Sequence, residues 1–215
     1  MRESGAENVI EPNPQFATLA SDNQIERTAQ ALEANNIKTF VAKNGHEAKL
    51  KVLELLPTGA EVFTATSKTL EHVGVVEEIN ESGHYVSLRS KIAHLDRRRQ
   101  ANKIRVIAAT AEYVVGSVHA VTERGEVMIA SASGSQLALY SSGAGTLIWV
   151  VGTQKIVRDL DEGFRRIEEY AYPLENTRMQ EVHKLRSAVN KILIVNKEGK
   201  PGRTTLIFVK EQLGF

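Results

Sequence analysis

Apolar residues recur along this chain with two periods, and their alternation predicts the elements. Ile25, Ala29 and Leu32 share one face at helical spacing, so a helix is expected from about Asn23 to Asn35, capped by Ser21 or Asp22. Ile37 to Ala42 alternates and reads as a first strand. Asn44 with Glu47 three residues later opens a second helix, which buries Ala48, Val52 and Leu55 and ends near Pro57-Thr58-Gly59. Glu61 to Ala65 is the next strand. Ser67 then caps a helix begun by Lys68-Thr69-Leu70, and Val73 to Asn80 continues it. His84 to Leu88 reads as a short strand after Gly83, and Glu112 to Val118 as another. Between them, Lys91 to Lys103 with Arg97-Arg98-Arg99 reads as a solvated helix face. Helices and strands in this alternation imply parallel βαβ units.

The pattern changes after residue 118. Val121 to Val127 reads as a hairpin turning at Gly125. A small-residue loop, Ser131 to Ser135, follows the apolar run ending at Ala130, and a second, Ser141 to Gly145, leads into Thr146 to Val151. That last run is apolar on both faces, as a strand covered on both sides must be, and it places Trp149 in the core. A helix starting at Asp159 or Asp161 carries Phe164, Ile167 and Tyr170 as its stripe and is ended by Pro173. Residues 174–185 are polar, with a weak helical pattern. Asn190 to Asn196 and Thr204 to Lys210 are strands with a turn at Lys197 to Gly202 between them. The hairpin signals near Gly125 and Lys200 add an antiparallel portion. The fold class is therefore α/β, with a mixed, largely parallel sheet flanked by helices. Residues 1–22 lack periodicity, contain Pro12 and Pro14, and read as a flexible leader to a single domain over residues 23–215.

Composition narrows the chemistry. The 27 basic and 26 acidic side chains nearly cancel, which speaks against a nucleic-acid partner. The chain has no cysteine, so thiolate catalysis, zinc fingers and a cysteine-held iron–sulfur cluster are excluded within it. No run reaches the ~18 apolar residues of a membrane span, and a polar start argues against a signal peptide, so no membrane association and a cytoplasmic location are expected. The histidines, His72, His94, His119 and His183 among them, show no pair at metal-ligand spacing. Neither a metal nor a cofactor is expected, and no catalytic residue stands out. Gly143 and Gly145 precede a strand, so they are not a dinucleotide fingerprint.

Two places offer polar groups beside strand ends. One is Thr66, Ser67 and Thr69; the other is Ser133, Gly134, Ser135 and Gln136. Open α/β sheets bind ligands at the carboxyl ends of their strands, so the two are expected to converge on one ligand. No Lys or Arg lies between Gly125 and Gln154, so a small anion is expected to be held by backbone amides and hydroxyls rather than by a fixed cation. Ser and Gly are equally the residues of plain turns.

Several segments resemble the LUD-domain, or lactate-utilisation, family in order along the chain. Gly59-Ala60-Glu61-Val62, Thr66-Ser67-Lys68-Thr69-Leu70-Glu71 and His119-Ala120-Val121-Thr122-Glu123-Arg124-Gly125 are similar to its motifs. So are Val150-Val151-Gly152-Thr153-Gln154-Lys155-Ile156-Val157, Asp159-Leu160-Asp161-Glu162, Tyr172-Pro173-Leu174-Glu175-Asn176 and Leu213-Gly214-Phe215. The resemblance spans roughly residues 23 to 215. It departs at Thr64-Ala65-Thr66, where the family carries paired glycines, at His119 for an asparagine, and at Ser131-Ala132 for an acidic residue. It implies a fold related to ribose-5-phosphate isomerase, glucosamine-6-phosphate deaminase and coenzyme A transferases. It further implies a small organic acid or phosphorylated metabolite as ligand, and a role in oxidising L-lactate to pyruvate beside iron–sulfur partner proteins. An isomerase or transferase with Glu112 or Glu126 as base, and a ligand-free assembly module using Arg97 to Arg99, stay open beside this reading, as does a homo-oligomer.

Overall fold

The computed structural model describes residues 11–96 and 98–215. Ten strands run in chain order as β1 (Lys38–Ala42), β2 (Glu61–Thr64), β3 (Val86–Ser87), β4 (Tyr113–Gly116), β5 (Ala120–Thr122), β6 (Val127–Ser131), β7 (Thr146–Gly152), β8 (Ile156–Val157), β9 (Lys191–Val195) and β10 (Thr204–Val209). The helices are α1 (Asp22–Ala34), α2 (Gly45–Leu55), α3 (Lys68–His72), α4 (Val75–Glu81), α5 (Leu88–Ala93), α6 (Ala101–Ala109), α7 (Leu160–Arg166) and α8 (Tyr172–His183).

Six strands form an all-parallel sheet in the order β1-β10-β7-β4-β2-β3. Its inner strands β7 and β10 are apolar on both faces because both faces are covered. Leu147, Trp149 and Val151 of β7 and Leu206 and Phe208 of β10 point into one core. Ile148, Val150, Ile207 and Val209 point into the other, against Ala48 and Val52 of α2 and Leu70 of α3. Trp149 is 1% exposed and meets Tyr140 edge-on at 5.6 Å.

The antiparallel pairing is confined to a second sheet, β8-β5-β6-β9. Helix α7 and the turn that follows it cover it, Leu160 and Ile167 packing on a small core of Ala120, Met128 and Val157. Gly163 permits the close approach: a Cβ there would sit 2.2 Å from the Met128 sulfur.

Local signals place the helix starts. Ser21 and Gln24 form a capping box on α1, Asn44 caps α2 through the Glu47 amide, and Asp159 caps α7 through the Glu162 amide. Four expectations are corrected. The helix after Ser67 breaks at Gly74, where φ is +70°, into α3 and α4. Lys91 to Lys103 is not one helix face: α5 ends at Ala93 and α6 begins only at Ala101. Pro173 does not end the helix of α7. A π-helical turn over Ile167–Ala171 carries the helix on into α8, and the Glu169 carbonyl, four residues before Pro173, accepts from the Asn13 N–H at 2.8 Å instead. Lastly, β9 and β10 are not a hairpin: β9 pairs with β6 while β10 enters the parallel sheet between β1 and β7.

Residues 1–10 of the expected leader, and Arg97 of the arginine run, lie outside the described residues. From Asn13 the chain packs on the π-turn. Asn13 donates from its backbone N–H and its Nδ2 to Glu169 at 2.8 Å each, and Phe16 is buried. Among the described residues, no helix is long and apolar enough to cross a membrane.

Candidate functional site

Parallel strands put their carboxyl ends on one edge, and here β2, β4 and β7 end together. The segment after β2 carries Thr66, Ser67 and Thr69. The segment after β4 carries Ser117 and His119, and a 3-10 turn after β7, Thr153–Lys155, carries Lys155. A cleft of about 600 Å³ opens between this edge, the loop following β6, and helix α8, which contributes Tyr172, Glu175, Arg178 and His183. Ligand clefts commonly have this size and lie at this edge of a parallel sheet.

The structure brings both predicted polar groups to this cleft. Thr66, Ser67, Thr69, Ser133, Ser135 and Gln136 line it. Gly134 does not: it is a turn residue at φ +82°, and a Cβ there would meet Lys191 Cδ at 2.8 Å. Two of the loop's amides are engaged inside the loop. The Gly134 N–H donates to Ser131 Oγ at 2.9 Å, and the Ser135 N–H to Ser133 Oγ at 3.3 Å. Ser67 Oγ accepts from the Leu70 N–H at 3.4 Å. The Gly134, Ser135 and Leu70 amides are thus engaged in local bonds.

Basic side chains do reach the cleft. Arg89 donates to Thr66 Oγ1 and, at 3.1 Å, to Thr64 O. Lys191, outside the cleft, braces its loop by donating to Ser133 O at 2.8 Å. On the floor lies Lys155, only 2% exposed, with Nζ bonded to Thr69 Oγ1 (3.1 Å), Ser117 Oγ (3.2 Å) and Val118 O (3.0 Å). Behind it Arg166, fully buried, donates to Gln154 O at 3.3 Å and to His119 O, and stacks on Tyr170 at 5.2 Å. One of its terminal nitrogens, Nη2, has no partner. Neither Lys155 nor Arg166 forms an ion pair among the described residues.

This grouping shifts the local protonation states. Burial, and then the nearby Arg166, push the Lys155 amine well below the ordinary lysine range. Burial lowers Arg166 to about 10. Burial, followed by Lys155 and Arg166, holds His119 down at about 3, so its imidazole is neutral. His119 Nδ1 accepts from the Ala130 N–H at 3.1 Å, which leaves the proton on Nε2 as a donor.

Carboxylates are few here. Glu71 and Glu175 line the cleft, each paired with a cation, Lys68 and Arg178 respectively. Glu112 and Glu126, considered as bases from sequence, do not line it. Among the described residues no three His, Asp or Glu side chains converge as a metal site. Lys155, His119 and Arg166 were the residues missed. Lys155 had a signal, a lysine with apolar runs on both sides immediately after a buried strand. Arg166 had another, since it falls on the face of Gly163, Ile167 and Tyr170.

The LUD domain profile matches residues 25–210. The chain belongs to the LUD-domain family. None of the curated proteins compared with it matches. Among solved structures, this LUD domain is similar to a crystal structure of a DUF162 family protein from Deinococcus radiodurans. The TM-score is 0.57 and the identity 13%, over 89% of this chain and 99% of that one. At that identity the likeness speaks for the fold of this LUD domain alone.

Proposed function

We propose that the cleft binds a small organic acid or a phosphorylated metabolite, and that the protein serves the oxidation of L-lactate to pyruvate as a subunit or accessory factor. The observation that carries the anionic ligand is the floor. Arg166 is withdrawn from water and bonded only to neutral oxygens, so its charge lacks a counterion, and the Lys155 amine beside it lines the cleft. The hydroxyls of Thr66, Ser67 and Ser117 and the Nε2 donor of His119 supply neutral hydrogen bonds around it. The lactate link rests on membership of the LUD-domain family. With no cysteine in the chain, a partner of iron–sulfur type would receive the electrons. An isomerase or transferase is supported less, because the carboxylates lining the cleft are paired.

Calorimetric titration of lactate, pyruvate and sugar phosphates tests this reading. At least one should bind, and Lys155→Met should weaken it roughly tenfold to a hundredfold, the loss of about 1.5–3 kcal/mol for a hydrogen bond to a charged group. Failure of all of them to bind at millimolar concentration would remove the reading.

A further inference from the structure

We propose that Lys155 is a covalent site, whose amine condenses with the keto group of a 2-oxo acid bound in the cleft to form an imine. This rests on the reading that the cleft takes small organic acids, and adds a reaction to it.

The position of the side chain comes first. Lys155 lines the cleft floor, and of its three partners Ser117 is half-buried and lines the cleft as well. A ligand seated there meets the amine beside that hydroxyl. The partners themselves suit a neutral amine. Thr69 donates its hydroxyl hydrogen to Leu213 O at 3.1 Å, so its oxygen is an acceptor for one Lys155 N–H. Val118 O accepts the second. The Ser117 hydroxyl, which donates to Thr69 Oγ1 at 3.3 Å, also lies 3.2 Å from Nζ, and turning its hydrogen from Thr69 to the nitrogen lets it donate to the lone pair. Every polar atom is then satisfied without a charge. As an ammonium, the same group would be buried next to a guanidinium with no carboxylate to balance it, which is why its pKa is low. Desolvation beside a second cationic group is a recognised way of making a lysine nucleophilic at neutral pH.

Other lysines lack this environment. Lys49, Lys51, Lys68, Lys91 and Lys210 are each ion-paired to a carboxylate, as Lys155 is not. A 2-oxo acid suits the site because its carboxylate can rest in the positive field of Arg166 while its neighbouring carbonyl carbon faces the amine. The step balances without an oxidant or reductant. The nitrogen lone pair forms the C–N bond, the carbonyl oxygen takes both N–H protons and leaves as water, and a C=N bond remains.

The test is reductive trapping of the full chain with pyruvate and cyanoborohydride, followed by intact-mass measurement and peptide mapping. A single adduct at Lys155 is expected, with none from lactate, which has no carbonyl. Lys155→Arg, checked for folding by circular dichroism, should give none at that position. Labelling spread evenly over the surface lysines, or no labelling, would overturn the imine. Pyruvate titration without reductant separates the two readings. If pyruvate binds and Lys155 is not trapped, the imine is wrong and the anion site stands; if nothing binds and nothing is trapped, both fall.

Discussion

Arg203 and Lys155 are both withdrawn from water, and they are held in opposite ways. Arg203 leads into β10. Its guanidinium donates to Glu198 at 2.7 Å and to the carbonyls of Leu139, Tyr140 and Ala144 at 2.8–3.2 Å. Glu198 in turn accepts from Thr204 Oγ1 at 2.7 Å. Burial alone would raise the Glu198 carboxyl, but the hydrogen bonds from Thr204 and Arg203 outweigh it and hold it below the usual range. The charge is balanced, and it ties the π-helical turn Leu139–Gly143 to the sheet. Lys155 has hydroxyls and one carbonyl, with no acid, and it faces a cleft. A buried charge with its counterion in the chain holds the fold together. A buried base without one leaves room for a ligand to complete it.

The sharpest way to break this comparison is to remove each side chain. Arg203→Ala should cost roughly 3–5 kcal/mol in urea unfolding, because it strands Glu198 without its partner. The double substitution Arg203→Met/Glu198→Leu should recover most of that loss. An Arg203→Ala protein as stable as the parent would show that the pair is not structural.

The effect of pH sharpens the other side. His119 titrates at about 3 in the folded protein against an ordinary 6.5, so between those values the unfolded chain binds the extra proton. Its contribution to stability is thus complete above pH 6.5 and is lost as the pH falls toward 3. The slope should approach about 1.4 kcal/mol per pH unit. His119→Asn should flatten that part of a stability-against-pH curve measured by denaturant unfolding. A curve of unchanged slope would mean that His119 protonates freely in the fold.

Lys155→Met should leave the unfolding midpoint unchanged or raise it, since it removes a buried base that has no carboxylate partner. A loss on the scale of Arg203→Ala would make Lys155 a structural residue and erase the contrast. The smallest effect is expected at the rim. Gly134→Ala should cost about 1–2 kcal/mol for a side chain at φ +82°. Its anion affinity, measured by calorimetry, should stay at the parental level, because Gly134 does not line the cleft.

The sequence by itself determined the elements whose cause is local. Ser21, Asn44 and Ser67 each bond to an amide three residues away, so the starts of α1, α2 and α3 are written within one turn of chain. The two-faced apolar run of β7 announced a strand at the centre of a sheet. The same reading failed at Pro173, where a π-turn five residues long absorbs the proline, and at β9 and β10, where a turn signal says that the chain reverses but not which sheet each arm joins. Thr66 to Thr69 and Ser133 to Gln136 were legible as polar groups after strands, but the buried amine of Lys155 was not. Whether a lysine is a solvated surface charge or a buried amine depends on what surrounds its Nζ. Here the surroundings are Thr69, Ser117 and Val118, brought to Lys155 from 86, 38 and 37 residues away by parallel strands that end on one edge. Only the tertiary structure sets that neighbourhood, because desolvation and the field of Arg166 act through space and not along the chain.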